Sequence, residues 1–557
     1  MTRERLIYLP LGGAGEIGMN TYVYGYGPRN RERYIVVDLG VTFPDMDGSP
    51  GVDLIMADIA WLEERKDRVD GIFITHAHED HVGGLGHLWN RLRAPVYTRD
   101  FTARIAARKM IEAGQPVDQI NTVGALPDTV ELGPFRVQFV PISHSLPEAS
   151  ALLIETPAGR VLHTGDFKLD MAPGVGEPFD EDIYKRIGDG GVQALICDST
   201  NVFSLHPGRS ESSLPGAITE LVRDAPGMVV ATTFASNVAR VRTLAKAARA
   251  AGRSVCLLGR AMQTMVRTAT EAGLLLDFPP TISAEDAKDV PRDNLMLIVT
   301  GSQGERRAAS AQLSRGSYLG FTLQEGDLFL FSSMTIPGNE RGVLKIVNAF
   351  SEMGVDVVDN TMGAYHVSGH ANRPDLERMH DLVRPRMLVP MHGEHRHLRQ
   401  HARLGAARGL TTAIAPNGTM LDLTGDEPSV VDYVDTGRLY LDGTVIYGAL
   451  DGIVRERMKL ALNGQVVVTL VIDEDGLPMG DPWADCAGLA RKGRSNRDLS
   501  EVIEEELAGE LERTTRKILD NDSKLVELMK RRVRSVCVDE IGKKPEVMTV
   551  ISRLSEE

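Results

Sequence analysis

A short segment rich in histidine and carboxylate side chains constrains the fold of this chain more than any other feature. His76-Ala77-His78-Glu79-Asp80-His81 places three imidazoles and two carboxylates directly after the apolar run GIFIT. These groups supply the nitrogen and oxygen ligands that zinc takes in proteins. Alternate residues of an extended segment share a face, so His76 and His78 can face one ion while Asp80 and His81 turn toward a second. The segment therefore predicts a strand that ends at a site for two metal ions.

Further ligands are expected at the ends of other strands. Candidates are His144 in the sequence HS, Asp166 in HTGD and His392 in MHGEH. Taken singly, such a residue is more often a hydrogen-bonded core or surface residue than a ligand. The alternative for the 76–81 segment is a solvated polar loop, which the clustering disfavours because only 14 histidines are spread over 557 residues.

Length and composition indicate a multidomain globular protein. A chain of 557 residues is too long for one hydrophobic core, and about 100 to 200 residues per domain suggests three or four domains. The mean hydropathy of -0.14 and 25% charged residues are ordinary globular values. The sequence has no evident signal peptide and no run of apolar residues long enough to span a membrane, so we expect a cytoplasmic protein that does not bind membranes. The widely spaced cysteines form no CxxC pair and are expected to be buried, reduced thiols: Cys197, Cys256, Cys486 and Cys537.

The net charge of -15 counts against a nucleic-acid substrate, because binders of nucleic acid usually present a basic surface to the phosphate backbone. Net charge describes the average surface, however. A groove can be basic inside an acidic molecule, especially where bound metal ions add positive charge.

The pattern of apolar runs changes along the chain. The first 200 residues alternate short β-branched runs with turns, which predicts a layered α/β domain rich in strands. From about Ser210 to Thr361, helical segments alternate with the runs MVVATTF, LMLIVTG and LFLFSS, which indicates an inserted βαβ domain with a parallel sheet. A final unit near Met458 combines strands with a long charged helix predicted over Leu499 to Ile518.

The segment from Gly13 to Gly18 matches the GxGxxG dinucleotide fingerprint, but the match requires a helix to follow it. The next residues, NTYVYGYG, have the pattern of a strand and a turn. A glycine-rich turn beside the metal cleft is the preferred interpretation.

The order HxHxDH, then a His, then GD, then a distant His resembles the ligand series of the metallo-β-lactamase superfamily. The resemblance implies two zinc ions, one held by His76, His78 and His144 and the other by Asp80, His81 and His392. It also implies that Asp166 bridges the ions and that Asp38, in RYIVVDLG, orients a ligand ring from behind. Two bridged cations lower the pKa of a shared water and support metal-assisted hydrolysis.

Asp166 and His392 are 226 positions apart, and the segment between them resembles the insertion of the β-CASP group, whose members process nucleic acids. Asp198 in LICDST and His370 in HVSGHA resemble two further motifs of that group. His370 is the implied general acid for the leaving oxygen, oriented by Asp198. Apart from this resemblance, Asp198 would be interpreted as a helix N-cap or turn residue, because Asp-Ser-Thr is suited to both.

Within that group the chain resembles the bacterial ribonuclease J family over most of its length, including LGGAGEIGMN, HAHEDHVGGL, CDSTNVF, HVSGHA and VPMHGEHRHL. The resemblance implies a 5′-to-3′ exonuclease on single-stranded RNA that favours 5′-monophosphate ends, with endonuclease activity as a second expectation. A pocket for the 5′ nucleotide would be formed by Ala235, Ser236, Asn237, His366, Val367, Ser368, Gly369 and His370. Glycine turns capped by serines are the alternative for either half of this pocket.

The implied fold is an αββα metallo-β-lactamase sandwich interrupted by a β-CASP α/β domain and followed by a small α+β domain. The expected ranges are 1–209 and 363–450 for the sandwich, 210–362 for the insertion, 451–462 for a linker and 463–557 for the last domain. The charged run Lys530 to Arg534 could bind RNA or a second subunit. The family comparison favours dimerisation, giving a homodimer or a dimer of dimers. A calcium site near Asp442 is left out of the assignment because one carboxylate is too few ligands.

Two other functions remain open from the sequence. A thioesterase or lactonase could use the same metal core, but it would leave the insertion, Asp198 and His370 unexplained. A non-catalytic RNA-binding scaffold is disfavoured because every ligand position is filled.

Overall fold

The computed structural model describes residues 4–45, 47–336 and 338–554. These residues form two compact units. The first lies within the ranges 1–42 and 55–438, and the second within 43–54 and 439–557.

The first unit opens with a strand-rich region that runs to Asp198. Its strands are β1 Glu4–Gly12, β2 Ala14–Gly15, β3 Thr21–Pro28, β4 Arg33–Val37, β5 Val41–Thr42, β6 Leu54–Ala57, β7 Val69–Phe73, β8 Val96–Thr98, β9 Ile120–Thr122, β10 Val130–Leu132, β11 Phe135–Pro141, β12 Ser150–Thr156, β13 Gly159–His163 and β14 Ala194–Asp198. Its helices are α1 Ala60–Glu63, α2 Glu79–Val82, α3 Leu85–Leu92, α4 Asp100–Glu112 and α5 Glu181–Asp189. The strand β3 directly follows the GxGxxG segment, which confirms that no dinucleotide-binding helix opens there.

The chain then enters an inserted α/β region. Its strands are β15 Val229–Thr232, β16 Ser254–Leu258, β17 Leu295–Val299, β18 Leu328–Phe331 and β19 Asp356–Val358, and its helices are α6 Pro215–Asp224, α7 Val238–Ala250, α8 Arg260–Glu271, α9 Ala309–Leu313 and α10 Glu340–Glu352. The strands form a parallel sheet in the order β16-β17-β15-β18-β19. All residues of β15, β17 and β18 are buried, as expected for central strands covered on both faces.

After the insertion the chain returns to the first region. The elements that follow are α11 Arg373–Val383, β20 Met387–Met391, β21 Gly393–Glu394, α12 His395–Ala407, β22 Thr411–Thr412, β23 Thr419–Asp422 and β24 Ser429–Tyr433. The strand β20 pairs with β14 in parallel, with Asp198 opposite Met391. Residues almost 200 positions apart therefore end at the same edge of one sheet.

Two sheets pack face to face in the first unit. One has the order β24-β23-β1-β3-β4-β7-β8-β9 and the other β10-β11-β12-β13-β14-β20-β22. Their shared core contains Tyr24 and Phe73 from the first sheet and Phe139 and Ile196 from the second. The helices α5, α11 and α12 cover the outer face of the second sheet, and α4 lies against β8 and β9 of the first. The predicted αββα sandwich with an α/β insertion is confirmed.

The second unit contains β25 Arg438–Asp442, β26 Val445–Gly448, α13 Ile453–Asn463, β27 Gln465–Ile472, β28 Trp483–Ala487, α14 Leu499–Glu512, α15 Arg516–Leu519, α16 Asp522–Ile541 and β29 Glu546–Arg553. A three-stranded sheet of order β28-β27-β29 packs against α14 and α16 around its own core. The range 451–462, expected as a linker, is mostly the helix α13. On α16, Val533 is fully buried while Lys530, Arg531 and Arg534 line an open groove of about 1010 Å³.

The helix predicted over Leu499 to Ile518 is in fact two helices, since α14 ends at Glu512 and α15 begins at Arg516. The hydroxyl of Thr514 donates to the backbone carbonyl of Glu510 at 2.7 Å, and two consecutive threonines favour a break at this point. Among the helices of the described residues, none has the length and apolar character needed to cross a membrane.

Candidate metal centre

The predicted ligands follow strands whose ends meet at one edge of the sandwich. The 76–81 segment follows β7, His144 follows β11, Asp166 follows β13 and His392 follows β20. Because β14 pairs in parallel with both β13 and β20, the ends of β13 and β20 lie at the same edge of their sheet, as expected for sites at the carboxyl ends of strands.

Ring nitrogens of three histidines converge on one point. The Nδ1 atom of His78 lies 3.1 Å from Nε2 of His76 and 3.1 Å from Nε2 of His144. The three ring centroids are 4.8 to 5.0 Å apart, and the ring planes are nearly perpendicular to one another. With zinc–nitrogen bonds of about 2.0 to 2.1 Å, a nitrogen separation of this size corresponds to a ligand–metal–ligand angle near 100°.

In His76 and His144, the Nδ1 atom carries the ring proton and donates it to a hydrogen bond. The Nε2 atom, which points toward the convergence point, therefore has no proton. The hydroxyl of Thr75 donates to Asp38 at 2.9 Å, so it accepts from Nδ1 of His76 at 2.9 Å. The Nδ1 atom of His144 donates to the backbone carbonyl of Gly369 at 2.6 Å. Burial lowers the pKa of His76 and His144 well below the usual range, and it lowers the pKa of His78 to about 4. At neutral pH these rings are therefore neutral and present lone pairs.

Asp166 lies at the centre of the site and is 2% exposed. Its Oδ2 atom is within 4.0 Å of five imidazole nitrogens, which belong to His81 at 3.2 Å, His392 at 3.4 Å, His76 at 3.7 Å, His144 at 3.8 Å and His370 at 4.0 Å. Burial raises the pKa of Asp166, but the neighbouring histidines outweigh it and lower that pKa well below the usual range. Asp166 is therefore an anion that touches both groups of ligands.

A second group of donors lies on the other side of Asp166. The Oδ2 atom of Asp80 is 3.6 Å from Nε2 of His81 and 3.8 Å from Nε2 of His392. Within the described residues, Asp80, His81, Asp166 and His392 form one group of potential ligands, and His76, His78, His144 and Asp166 form another. The structure thus brings together all seven predicted ligands.

Asp38 is fully buried behind His81. Its Oδ2 atom accepts a hydrogen bond from Nδ1 of His81 at 2.7 Å, and its Oδ1 atom accepts from the backbone N–H of Thr75 at 2.8 Å. A carboxylate on the far nitrogen fixes the tautomer of a ligand histidine and the orientation of its ring. The position of Asp38 matches the role that the sequence predicts.

Two of the site residues have strained backbones. Asp38 has φ of 64° and His392 has φ of 48°, in a region that residues other than glycine rarely adopt. Gly40 lies so close to the 76–81 segment that a Cβ atom there would be 1.7 Å from the carbonyl oxygen of Asp80. These turns hold the strand ends against one another.

The donor set fits a pair of zinc ions. All the predicted donors are imidazole nitrogens or carboxylate oxygens, which suits zinc in a hydrolytic site. The Oδ1 atom of Asp166 is buried and has no hydrogen-bond partner among the described residues, although an anionic oxygen of this kind requires one. A cation on each side of the carboxylate would satisfy it.

His370 and Asp198 form a pair next to these donors. The Nδ1 atom of His370 lies 2.8 Å from Oδ2 of Asp198, and Oδ1 of Asp198 accepts from the N–H and the hydroxyl of Thr200 at 2.9 and 2.7 Å. Burial lowers the pKa of His370, but Asp198 and Asp166 raise it more, to about 9. The imidazole is therefore protonated at neutral pH and 23% exposed, so it can give a proton to a bound group.

The segment 366–370 is tied to the metal donors and to the loop after β14. The hydroxyl of Ser368 accepts from Nδ2 of Asn201 at 2.8 Å and from the backbone N–H of His370 at 3.1 Å. Gly369 packs so closely on His144 that a Cβ atom would lie 2.9 Å from Cε1 of that ring. Only a residue without a side chain allows this approach.

The other half of the predicted pocket, residues 235–237, directly precedes the helix α7. Asn237 is its N-cap, and its side-chain oxygen accepts from the backbone N–H of Arg240 at 2.9 Å. Arg240 is fully buried and links this helix to the 366–370 segment, because its Nη1 atom lies 3.1 Å from Nδ1 of His366. Burial and the Arg240 charge lower the pKa of His366 to about 3. The two halves therefore meet through an arginine that the sequence did not single out.

Sequence reasoning missed other residues of the site. The amide nitrogen of Asn20 donates to the backbone carbonyl of Asp80 at 3.1 Å and lies 3.0 Å from Nε2 of His81. Its only signal was its position at the end of the glycine-rich segment. Glu79, within the histidine cluster, turns away and pairs with Lys109 at 2.7 Å.

A further group of potential ligands, Cys197, His380 and His401, lies in the core behind β14. The Nε2 atoms of the two histidines are 3.1 Å apart, but their rings are only 14° from parallel and their centroids are 5.2 Å apart. This arrangement fits a hydrogen bond directed from one ring to the other better than two lone pairs that meet at a metal ion. We therefore interpret these three residues as part of a buried hydrogen-bond network and not as a metal site.

Four family descriptions match the chain. Residues 15–214 match the Metallo-beta-lactamase superfamily, 226–350 the Ribonuclease J, beta-CASP domain, 360–416 the Zn-dependent metallo-hydrolase RNA specificity domain and 452–554 the Ribonuclease J C-terminal domain. A Ribonuclease J of Sinorhizobium meliloti is 40% identical over 553 residues, which cover 99% of this chain and 98% of the relative. The chain belongs to the ribonuclease J family.

Other ribonuclease J proteins are also similar over most of the chain. The protein of Mycolicibacterium smegmatis is 37% identical over 89% of this chain and 89% of its own length, and that of Thermus thermophilus is 33% identical over 85% and 83%. A crystal structure of a protein of unknown function from Enterococcus faecalis V583 superposes with a TM-score of 0.50 at 18% identity, over 75% of this chain and 100% of that chain. That likeness concerns the fold alone. The predicted family is confirmed.

Proposed function

We propose that this member of the ribonuclease J family hydrolyses phosphodiester bonds of RNA with two zinc ions bound between the strand ends. Family membership makes the chain a metal-dependent ribonuclease. The proposal assigns His76, His78 and His144 to one ion, Asp80, His81 and His392 to the other, and Asp166 to both. When bound, the two ions would activate a water molecule and neutralise charge on the phosphate.

The protein's own residues would perform three tasks in this reaction. Asp38, through His81, and Gly369, through His144, orient ligand rings. His370 holds a proton at its imidazole, which Asp198 stabilises by a hydrogen bond of 2.8 Å. His370 therefore serves as the general acid that protonates the leaving 3′ oxygen.

We further propose that the enzyme removes nucleotides from the 5′ end and favours a 5′-monophosphate. The proposed pocket consists of the 366–370 segment and residues 235–237. The hydroxyl of Ser368 and the backbone N–H groups of this segment would bind the terminal phosphate. Endonuclease cleavage would use the same centre on RNA whose 5′ end is not in the pocket.

The observation that carries the proposal is the position of Asp166. Its Oδ2 atom lies within 4.0 Å of nitrogens from four proposed ligand histidines and from the proposed general acid. A thioesterase or lactonase would have no use for the His370–Asp198 pair or for the connected 366–370 segment.

The test compares RNA carrying a 5′-monophosphate or 5′-triphosphate with a thioester and a lactone, each with and without a chelator. We expect stepwise release of mononucleotides from the monophosphate RNA, and we expect the chelator to abolish it. Asp166→Ala should abolish RNA hydrolysis, whereas Asp118→Ala, which removes an exposed carboxylate, should not. Ser368→Ala should mainly reduce the preference for the monophosphate end.

Cleavage of the thioester with intact RNA would overturn the proposed substrate. Full activity of the Asp166→Ala variant would overturn the proposed bridging role.

We also propose that the protein is a homodimer or a dimer of dimers and that it acts in the cytoplasm. In the second unit, β29 is an edge strand with Met548 and Val550 exposed, and an edge of this kind can pair with a second copy. The cysteines are unpaired thiols, which fits a reducing compartment.

A further inference from the structure

An exposed aromatic ring lies beside the proposed metal centre. Phe203, in the segment CDSTNVF after β14, is 47% exposed. It is followed by an exposed leucine, Leu205. The ring of Phe203 contacts two side chains of the helix α12.

The two contacts come from Arg396 and His397. The imidazole of His397 meets the Phe203 ring edge-on with centroids 5.3 Å apart, and this histidine is buried. The Cζ atom of Arg396 lies over the ring, 5.8 Å from its centroid. We call Phe203, Arg396 and His397 the Phe203 platform.

The guanidinium of Arg396 lies over the ring at the outer limit of a contact and remains largely exposed. Its Nε atom donates to Glu394 at 2.7 Å, and its side chain is 63% exposed. A centroid distance of 5.8 Å is close to the outer limit of about 6 Å for a cation–π contact. The platform is thus fixed at its base by His397 and open to solvent at its ring and its charged group.

Short connections join the platform to the proposed site. The backbone N–H of Ser199 donates to the backbone carbonyl of His392 at 3.4 Å, so the loop that leads to Phe203 begins at a proposed zinc ligand. Two residues lie between Thr200 and Phe203, so these residues are at most about 11 Å apart along extended chain. At the other side, a Cβ atom on Gly393 would lie 2.9 Å from Cβ of His397. The platform is therefore within reach of an RNA strand bound at the metal centre.

We propose that the Phe203 platform stacks a nucleobase of the single-stranded RNA, with Phe203 as the flat face and Arg396 as a planar cation beside it. This inference rests on the proposed function. Proteins bind single-stranded nucleic acid by stacking bases on aromatic rings and guanidinium groups, and such stacking tolerates any base because each has a π face. The site therefore binds RNA without reading its sequence.

The test is a set of substitutions at Phe203 assayed on an unstructured RNA with a 5′-monophosphate. Loss of one stacking contact in Phe203→Ala should raise KM roughly 10-fold. Phe203→Leu keeps an apolar contact with His397 but has no aromatic face, and it should show the same increase. Phe203→Tyr should restore the KM of the natural protein, and Leu205→Ala is the matched control for loss of an exposed apolar side chain.

A second measurement uses RNAs in which one base at a time is replaced by an abasic site. In the natural protein, removing the base at one position of the RNA should raise KM. In Phe203→Ala, removing the base at that position should leave KM unchanged. Zinc content and circular dichroism of each variant report whether the fold is intact.

Equal KM values for Phe203→Ala, Phe203→Leu and the Leu205→Ala control would overturn the stacking site, as would an unchanged abasic profile in Phe203→Ala. These outcomes differ from failure of the proposed function, in which the natural protein itself would leave RNA intact.

Discussion

Asp38 is the residue on which the orientation of His81 depends. Both of its oxygens accept hydrogen bonds, one from His81 and the other from the backbone of Thr75, and the carboxylate is fully buried. Its left-handed backbone conformation costs on the order of 1 kcal/mol and is retained because the surrounding strands fix it. A residue held in this way is expected to act through the ring that it orients.

Replacing the carboxylate of Asp38 by an amide is therefore expected to weaken zinc binding. In Asp38→Asn, one side-chain atom is a donor, so the contacts to His81 and Thr75 cannot both be kept. We expect zinc affinity to fall by about 10- to 100-fold, as is typical when the partner of a ligand histidine is lost. Competition against a chelating dye measures the affinity. The control is Asp67→Asn, an exposed position, and equal affinities of the two variants would contradict the expected role.

The sequence predicted the donors of the site and the orienting carboxylates Asp38 and Asp198, but not the amide and hydroxyl groups that hold them. His76, Asp80 and His81 were identifiable because imidazole and carboxylate groups carry metal chemistry wherever they cluster. Asn20 and Thr75 were not, because amide and hydroxyl groups are common and their roles arise from contacts made only in the folded chain. Asn20 reaches Asp80 across 60 residues of sequence, a separation that no local pattern records.

At the scale of elements, a buried ion pair lies where the chain enters the inserted region. Arg240 on α7 contacts both oxygens of Glu211 at 2.9 and 3.1 Å, and both side chains are almost fully buried. Arg240 also donates to the backbone carbonyl of Ser332 at 2.9 Å. The same guanidinium therefore fixes the start of the insertion, the end of β18 and the ring of His366.

Removing the charge of Arg240 should destabilise this region strongly. In Arg240→Met the Glu211 carboxylate stays buried, and Lys168, at 3.8 Å, is its one remaining ion-pair partner among the described residues. The free energy of unfolding should fall by about 3 kcal/mol, because a buried charge loses its partner. Urea unfolding followed by circular dichroism measures the change.

The matched control is Arg242→Met on the same helix, whose partner Asp277 is exposed; its effect should stay within about 0.5 kcal/mol. The double variant Arg240→Met/Glu211→Gln should recover part of the loss. Similar stabilities of Arg240→Met and Arg242→Met would show that the buried pair does not stabilise the fold.

Elements with strong local signals were predicted well, and the errors arose where local signals compete. The helix α7 begins after Asn237, a preferred N-cap residue, and follows the apolar spacing of the sequence. The predicted helix from Leu499 to Ile518 has the same kind of spacing throughout. It is interrupted because the Thr514 side chain binds back to Glu510, an interaction that the apolar pattern does not reveal.

At the scale of the whole molecule, the C-terminal sheet has a hydrophobic core of its own. Val468 on β27, Leu507 on α14 and Val533 on α16 are at most 1% exposed and belong to one cluster. The edge strands β28 and β29 nevertheless leave Trp483 and Met548 exposed, at 57% and 55%. Exposed edge strands with large apolar side chains are typical of an interface with another copy.

A chain that ends at Asn463 is therefore expected to lose self-association. The full chain should sediment as a dimer or a larger even assembly, whereas the shortened chain should sediment as a monomer, because the edge strands are removed together with their core. Sedimentation velocity at equal concentrations measures both. A shortened chain that sediments as a dimer would place the interface elsewhere.

Domain limits could be predicted only where they coincide with a change in pattern along the chain. The insertion was recognised because helices and parallel strands replace the earlier turns. The grouping of residues 43–54 with the C-terminal unit was not, since it depends on contacts such as the backbone N–H of Asp53 donating to the carbonyl of Leu441 at 2.8 Å. Nearly 400 residues separate these partners, and nothing in either segment identifies the other.

The hydrogen bond from His144 to the carbonyl of Gly369 gives the enzyme a form of reciprocity. In the proposed function, the segment 366–370 would bind the terminal phosphate of the RNA and also orient His144, a proposed zinc ligand. Because linkage is mutual, RNA binding that strengthens zinc binding through this segment is itself strengthened by zinc, by an equal free energy. Enzyme with bound RNA should accordingly lose its metal ions more slowly than RNA-free enzyme. When zinc is depleted, RNA-free enzyme would then lose activity before RNA-bound enzyme does.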